Sequence, residues 1–308
     1  MKKLMLFMSL LFGLVFARDL IIATGSPSGN YYKVGTDIVN ECAQEIKNKY
    51  NYDLKVVSTS GSTENLMGLV DKKYSLGMVQ SDVLLFMSKK NPLLVNQNRV
   101  AILLDMYPEF LHILIPKSWK PESTGFWSNL TSLFNKNNGP ISITKLKNQI
   151  IYAWGGSAVS AQALSYFLNL NLKVTEPKDR KNLVNLDKPI ILVTGVPDQR
   201  VQKLLNSGKW YIISINAQEL AQRAGIYRPT NISYLVNGKP VTARTVSIRS
   251  ELLARVYRGK KRQNAIKALK QCIMNNMDDL IDDGESPFWE IIQKENSENN
   301  KINWRYIE

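Results

Sequence analysis

The sequence predicts an α/β fold with mostly parallel sheets and helices on both faces, and two observations carry that prediction. Short apolar, β-branched runs recur along the chain, and each ends in small or polar residues that lead into a helical pattern. Strands that alternate with helices in this way are typical of parallel sheets. The chain of 308 residues is also long enough for one large or two modest domains. In order, the runs are LIIAT, LKVVST, SLGMVQ, QIIYAW, IILVT and WYIISI.

Each run is followed at once by a segment in which apolar residues recur at helical spacing. The segments are GSPSGNYYKVGTDIV, SGSTENLMGLV, SDVLLFM, GGSAVSAQALSYFL, GVPDQRVQKLL and NAQELAQRA. The polar segment 118–140 interrupts this pattern and is predicted to be a surface excursion with some helix of its own. The polar tail after Ile292 is expected to be loosely held unless Trp304 and Tyr306 dock it.

Residues 1–17 have the features of a signal peptide. Lys2 and Lys3 precede the apolar segment 4–16, and the small residue Ala17 gives a cleavage site. The apolar segment is shorter than the roughly 20 residues that span a bilayer. We therefore expect an exported chain that begins near Arg18, with an uncleaved anchor as the alternative.

The formal net charge of +14 raises the question of a nucleic-acid or membrane partner. The lysines, however, are spread along the chain rather than gathered into one stripe. The densest basic segment, 255–270, is predicted to be a helix whose apolar face carries Ile266, Leu269 and Ile273. We expect its basic residues to form a solvated helix face and expect no nucleic-acid partner.

Cys42 and Cys272 are the two cysteines of the chain, and each lies at an apolar-facing position of a predicted helix. An oxidising compartment permits a disulfide between them, and two buried thiols are equally compatible with the sequence. Two cysteines without a set of histidines make no zinc site. No metal and no cofactor are expected.

The chain offers few of the residues that common catalytic mechanisms need, and its paired carboxylates at 277–285 are expected to be solvated rather than catalytic. The chain has one histidine, His112, inside the apolar run EFLHILIP, where a packed histidine is expected. Neither a phosphate-binding loop, a dinucleotide fingerprint nor a G-x-S-x-G elbow is present. The sequence therefore favours a binding protein over an enzyme.

The small residues at the ends of the predicted strands are the place to look for a binding site. Ligands of open α/β sheets lie beyond the carboxyl ends of the strands. Helix N-termini there offer unpaired N–H groups and a positive dipole end, which favour a carboxylate. Residues such as Ser62 and Thr63 could equally be ordinary helix caps.

Four segments, in order, resemble motifs of the TAXI family of solute receptors for TRAP transporters. They are IIATGSPSGNYYKVG, STSGSTENLMGLVDKKYSLGMVQSDV, LLDMYPEFLHILI and TKLKNQIIYAWGGSAVSAQAL. The resemblance runs from about residue 20 to 250. It implies a two-lobed periplasmic binding protein, type II-like, with crossing hinge strands between the lobes. Lobe one would comprise 18–110 and 243–308, and lobe two would comprise 111–242.

The resemblance also implies a function and partners. The receptor would be a periplasmic monomer that captures a small acidic solute, such as glutamate, a related amino acid or a dicarboxylate, by closure of the lobes. It would deliver this solute to the membrane permease of a TRAP transporter. The alternative is an exported interaction protein that keeps the fold with a filled or degenerate pocket.

Carried over residue by residue, the implied solute contacts come from both lobes. Trp154 leads the second-lobe motif, where the family is richer in glycine and threonine, and it could contact a flat solute or belong to the core. Arg200 and Arg244 are candidate partners for a carboxylate, although the surface is the more expected place for each of them. The implied contacts are Gly29, Asn30, Tyr31, Ser62, Asn65, Gln80, Ser81 and Asp82 in lobe one, and Trp154, Gly156 and Ser157 in lobe two.

Overall fold

The computed structural model describes residues 18–119, 142–298 and 301–308. The predicted signal peptide and nearly all of the predicted excursion at 118–140 lie outside these residues. The described residues form ten strands and nine α-helices, with short 3-10 helices at Ile143–Leu146 and Leu183–Asn185.

The strands are β1 (Arg18–Ala23), β2 (Tyr52–Val57), β3 (Leu76–Gln80), β4 (Val100–Pro116), β5 (Ile150–Tyr152), β6 (Lys173–Thr175), β7 (Ile190–Thr194), β8 (Trp210–Ile212), β9 (Arg228–Val236) and β10 (Lys239–Arg255). The helices are α1 (Asn30–Tyr50), α2 (Ser62–Val70), α3 (Ser81–Lys90), α4 (Gly156–Leu168), α5 (Gln199–Asn206), α6 (Ala217–Ala224), α7 (Lys260–Asn275), α8 (Met277–Asp283) and α9 (Trp289–Ser297). All six predicted runs are strands, and each is followed by its predicted helix.

One sheet runs through the whole molecule in the order β2-β1-β3-β10-β4-β7-β5-β6, with β8 paired to β4 and β9 paired to β10. β1 pairs in parallel with β2 and β3, and β5 pairs in parallel with β6 and β7. Every antiparallel pairing in the described sheet involves β4 or β10. The predicted α/β fold is therefore confirmed. The described sheet is mixed rather than mostly parallel, because the long strands β4 and β10 add five antiparallel pairings to the four parallel ones.

Burial explains why these segments form these elements. All five residues of β3 are buried, because strands lie on both sides of it and helices cover it. In α1 the buried residues Val34, Ile38, Cys42 and Ile46 recur every four positions, which places them on one face of the helix. Asn51 ends α1 in the left-handed conformation, with φ of 57°.

The apolar cores divide between two parts of the chain, which we call the first half (18–110 and 243–308) and the second half (111–242), as in the predicted lobes. Two cores contain buried residues drawn from 20–107 and 252–307, and two contain residues drawn from 111–248. β4 and β10 contribute to both sides, because these 17-residue strands run from one part into the other. The exact lobe boundaries stay a prediction.

The β9–β10 hairpin was not predicted from the sequence. Its turn is formed by Asn237 and Gly238, both with positive φ (50° and 77°). This is the conformation of a type I′ turn, for which Asn-Gly is the preferred pair. The dipeptide is therefore a sequence signal that could have located the hairpin.

Two features tie the C-terminal part to the rest of the first half. Cys42 of α1 and Cys272 of α7 form a disulfide, which resolves the two alternatives left by the sequence. The tail is docked, because Trp304 donates to the carbonyl of Val100 (3.0 Å) and the Tyr306 hydroxyl donates to Asp105 (2.9 Å). In α7, Ile266, Leu269 and Ile273 are buried as expected.

Candidate functional site

The N-termini of α2 and α4 face each other across the line where the two halves meet. A Cβ atom on Gly61 would lie 3.8 Å from the backbone nitrogen of Gly156. A Cβ atom on Gly155 would lie 3.7 Å from the backbone oxygen of Ser60. Gly61 and Gly155 precede the two helices and have positive φ (110° and 54°), which favours glycine there. Two positive helix ends thus meet at the junction between the halves, which we call the crevice.

Gln80, at the end of β3, connects the two halves at this crevice. Its side-chain oxygen accepts hydrogen bonds from the hydroxyls of Ser62 (3.3 Å) and Ser160 (3.2 Å). Its backbone N–H donates to the Ser62 hydroxyl (3.2 Å). Ser62 belongs to the first half and Ser160 to the second, and all three residues are buried. The structure therefore brings together three predicted positions, Ser62, Gln80 and Gly156, and adds Ser160.

Tyr31 and Glu109 form a second polar group in the crevice. The Tyr31 hydroxyl donates to a carboxylate oxygen of Glu109 (3.1 Å), and both residues are half-buried. Burial raises the pKa of Glu109 to about 7, while hydrogen bonds from Tyr31 and Gln80 oppose that rise. Burial also raises the pKa of the Tyr31 hydroxyl. Glu109 lies in the motif LLDMYPEFLHILI but was not predicted as a site residue.

Ser81 and Asp82, the first residues of α3, are completely buried at the same junction. One Asp82 oxygen accepts from the N–H of Val83 (2.7 Å), and the other has no hydrogen-bond partner among the described residues. The Ser81 hydroxyl likewise has no partner among them. Burial raises the pKa of Asp82 to about 6, with opposing contributions from Ser160 and the Val83 N–H.

Two of the predicted solute contacts, Asn65 and Ser157, instead form hydrogen bonds within their own half. Asn65 is fully buried, and its amide donates to the carbonyls of Thr24 (2.6 Å) and Met78 (2.7 Å), which joins the ends of β1 and β3. The Ser157 hydroxyl accepts from the N–H of Val193 (3.0 Å) and so ties α4 to β7. The structure does not place either side chain with the group around Gln80.

The remaining predicted positions are Gly29, Asn30 and Trp154. Gly29 caps α1, and a Cβ atom on Gly195 of the second half would lie 3.3 Å from the amide nitrogen of Asn30. Trp154 is half-buried and packs against the core that contains Leu192 and Trp210. This packing matches the core alternative for Trp154.

Arg200 lies at the start of α5 beside the same crevice. Its guanidinium is paired with Asp198 (2.6 Å), which also caps the helix by accepting from the Arg200 N–H (2.8 Å). Its side chain is 41% exposed. Arg244, the other candidate cation, is exposed on β10. Of these two residues, Arg200 is the one placed beside the crevice.

His112 is a packed histidine, as expected. It is completely buried, with one ring nitrogen 2.8 Å from the carbonyl oxygen of Phe110 and the other 2.7 Å from the hydroxyl of Tyr234. Burial lowers its pKa to about 4. Within 18–119, 142–298 and 301–308, no group of three or more His, Cys, Asp or Glu residues is arranged to hold a metal ion. None of the described helices is long and apolar enough to cross a membrane.

Comparison with protein-family models gives one match, which covers residues 22–234 and is described as the NMT1-like family. This match spans more than half of the chain. The chain belongs to the NMT1-like family. The matched residues of this NMT1-like protein include both helix N-termini of the crevice, Glu109 and Arg200. No curated protein matches the sequence.

Several solved structures are similar to this NMT1-like protein at low identity. A Xanthomonas citri protein bound to ATP is 8% identical, with 84% of each chain covered and a TM-score of 0.49. An ancestral arginine-binding protein bound to arginine is 10% identical, with 88% of this chain and 99% of that chain covered and a TM-score of 0.46. The periplasmic aliphatic sulphonate binding protein SsuA from Escherichia coli is 13% identical, with 86% and 73% covered and a TM-score of 0.44. Similarity at this level does not indicate what this chain binds.

Proposed function

We propose that this protein is a periplasmic receptor that captures a small acidic solute between its two halves and does not transform it. The solute would be glutamate, a related amino acid or a dicarboxylate. The protein would then deliver it to the membrane permease of a TRAP transporter. The permease and the TAXI assignment come from the four sequence motifs, and the acidic class is further supported by the helix ends.

The observation that carries the proposal is the convergence of α2 and α4. Their N-termini come from different halves and lie against each other, with a Cβ atom on Gly61 3.8 Å from the backbone nitrogen of Gly156. Such helix ends attract anions because their N–H groups are unpaired and their dipoles are positive there. A carboxylate between them would contact both halves at once and so stabilise the closed form.

A thermal-shift screen tests the proposal. The chain is unfolded and refolded to remove any bound molecule, and amino acids, dicarboxylates and oxo-acids are then added. A ligand at 100 times its dissociation constant stabilises a protein by about 2.7 kcal/mol, which is a shift of several degrees. Mass spectrometry of the molecule released on unfolding would identify a natural solute. If no compound moves the transition and no acidic molecule is released, the proposal is wrong.

A direct contact between the halves favours a second candidate function, an exported interaction protein with the same fold. The Gln80 oxygen already accepts from Ser62 and Ser160, so this part of the crevice is occupied by the protein itself. Small-angle scattering separates the two candidates. A solute receptor expands when its ligand is removed, whereas an interaction protein held by these contacts keeps its dimensions.

A further inference from the structure

Glu109 is a carboxyl group in a crevice whose other charged groups do not neutralise it. It lies on β4 opposite Ile248 of β10, at the place where the crossing strands pass between the halves. Its described polar neighbours are the Tyr31 hydroxyl and the Gln80 side chain, and both are uncharged. Glu109 is half-buried rather than fully enclosed.

The other ionisable groups near Glu109 come from α3 and α5. Asp82 of α3 adds a second carboxyl group, which acts on Glu109 by repulsion. Arg200 of α5 is the nearby cation, and Asp198 already engages it through contacts of its Nε (3.1 Å) and Nη2 (2.6 Å) atoms. Among the described residues, the charged groups that act on Glu109 are thus Asp82 and an Arg200 that is already paired with Asp198, although the whole chain carries a net charge of +14.

This excess of carboxyl groups is unfavourable for a solute that is only anionic. A dicarboxylate that fills the crevice would place negative charge against Glu109 and Asp82, and like charges at close range in a partly dry site repel strongly. A cationic nitrogen in the same place would form a charge-assisted hydrogen bond with Glu109.

The helix ends and Glu109 are separated by a single side chain. Gln80 interacts with Glu109, and a Cβ atom on Gly156 would lie 3.1 Å from the Gln80 side-chain oxygen. A solute whose anionic group binds the helix ends, as in the proposed function, would therefore lie about one side chain from Glu109, where a cationic group could meet the carboxylate. An α-amino acid has both groups only a few bonds apart.

Resting on the proposed receptor function, we infer that Glu109 selects solutes that carry a cationic nitrogen. The solute class is then amino acids, and dicarboxylates without an amino group are rejected. Glu109 is a specificity residue in this assignment, while the helix ends bind the carboxylate that both classes share.

Isothermal titration of the refolded full chain tests this inference with matched pairs of probes. Each pair shares its carboxylates and differs by the α-ammonium group: L-glutamate against glutarate, and L-leucine against 4-methylpentanoate. The amino acid of the pair that binds should bind at least roughly thirtyfold more tightly than its partner, since an unpaired buried charge costs at least that factor. Glu109→Gln should reduce this ratio to within about threefold, chiefly by weakening the amino acid.

Glu45→Gln is the matched control, because it removes the same charge from an exposed position on α1. Glu45 lies 15 residues beyond Asn30, which is roughly 22 Å along the helix. This variant should keep the full ratio. If wild-type protein binds glutarate as tightly as L-glutamate, or if Glu109→Gln keeps the ratio, the inference is wrong and the receptor function stands. If no probe of any pair binds, the inference is wrong, and the receptor function is then decided by the thermal-shift screen and the mass spectrometry described above.

Discussion

The disulfide between Cys42 and Cys272 should contribute a large part of the stability of the first half. It joins α1 to α7 across a sequence separation of 230 residues, and both sulfurs lie in the same buried core. In the chain-entropy model, closing a loop of this length lowers the entropy of the unfolded chain by an amount worth roughly 5 kcal/mol at 25 °C. Native disulfides that have been removed from other proteins cost about 2–5 kcal/mol.

Replacing both cysteines by alanine should therefore lower the free energy of unfolding by about 2–5 kcal/mol. The double replacement avoids a free thiol, and alanine keeps the helical propensity of both sites. Urea unfolding followed by circular dichroism measures the loss, with the free energy extrapolated to water for each protein.

Reductant provides the control for this experiment. Dithiothreitol should lower the stability of wild-type protein by a similar amount and should leave the double alanine variant unchanged. An unfolding free energy within about 0.5 kcal/mol of wild type for the variant would refute the reasoning, since it would mean that the long covalent loop does not restrict the unfolded chain.

Three further predictions concern single residues. Asp37 accepts from the N–H groups of Glu285, Ser286 and Trp289, so Asp37→Ala should cost about 3 kcal/mol in urea unfolding, and Asp37→Asn, which keeps one acceptor oxygen, should cost less. A Cβ atom on Gly68 would lie 2.2 Å from the Tyr74 ring, so Gly68→Ala should lower the free energy of unfolding by about 1–3 kcal/mol. Gly259→Ala is the control, because its Cβ would meet open space, and an equal loss for that variant would exclude the steric cause. The pKa of Asp82 is raised to about 6 in the folded chain, so its contribution to stability is present at low pH and is lost as the pH rises from about 4 through 6. Asp82→Asn should therefore make the free energy of unfolding depend less on pH in unfolding curves measured across this window.

The six strand–helix units could be predicted because their signals are local. A β-branched run and a following helical period each need only a few neighbouring residues to be recognised. The pairing of β4 with β10 depends on contacts between residues far apart in sequence, as with Glu109 and Ile248, and no local pattern specifies it. The resemblance to a known family supplied the expectation of crossing strands.

The candidate site shows the same division. The small residues at strand ends indicated the right junctions, but adjacent residues in a helix point about 100° apart, so the sequence could not say which side chain faces the crevice. In α4 the hydroxyl of Ser157 binds Val193, and that of Ser160, one turn later, reaches Gln80. Glu109 was not predicted as a site residue, because it lies in a long apolar run. A charged residue in such a run is itself the signal that could have located it.

The two native cysteines have a practical consequence for measuring closure. Since both are joined in the disulfide, cysteines introduced by mutation would be the only thiols that a maleimide dye can modify. Exposed positions such as Lys49 in the first half and Lys178 in the second can carry a donor and an acceptor. The chain passes between the halves along two adjacent paired strands, so bending about one axis is the easiest motion. A single dye-to-dye distance would then test the proposed opening and follow it in real time.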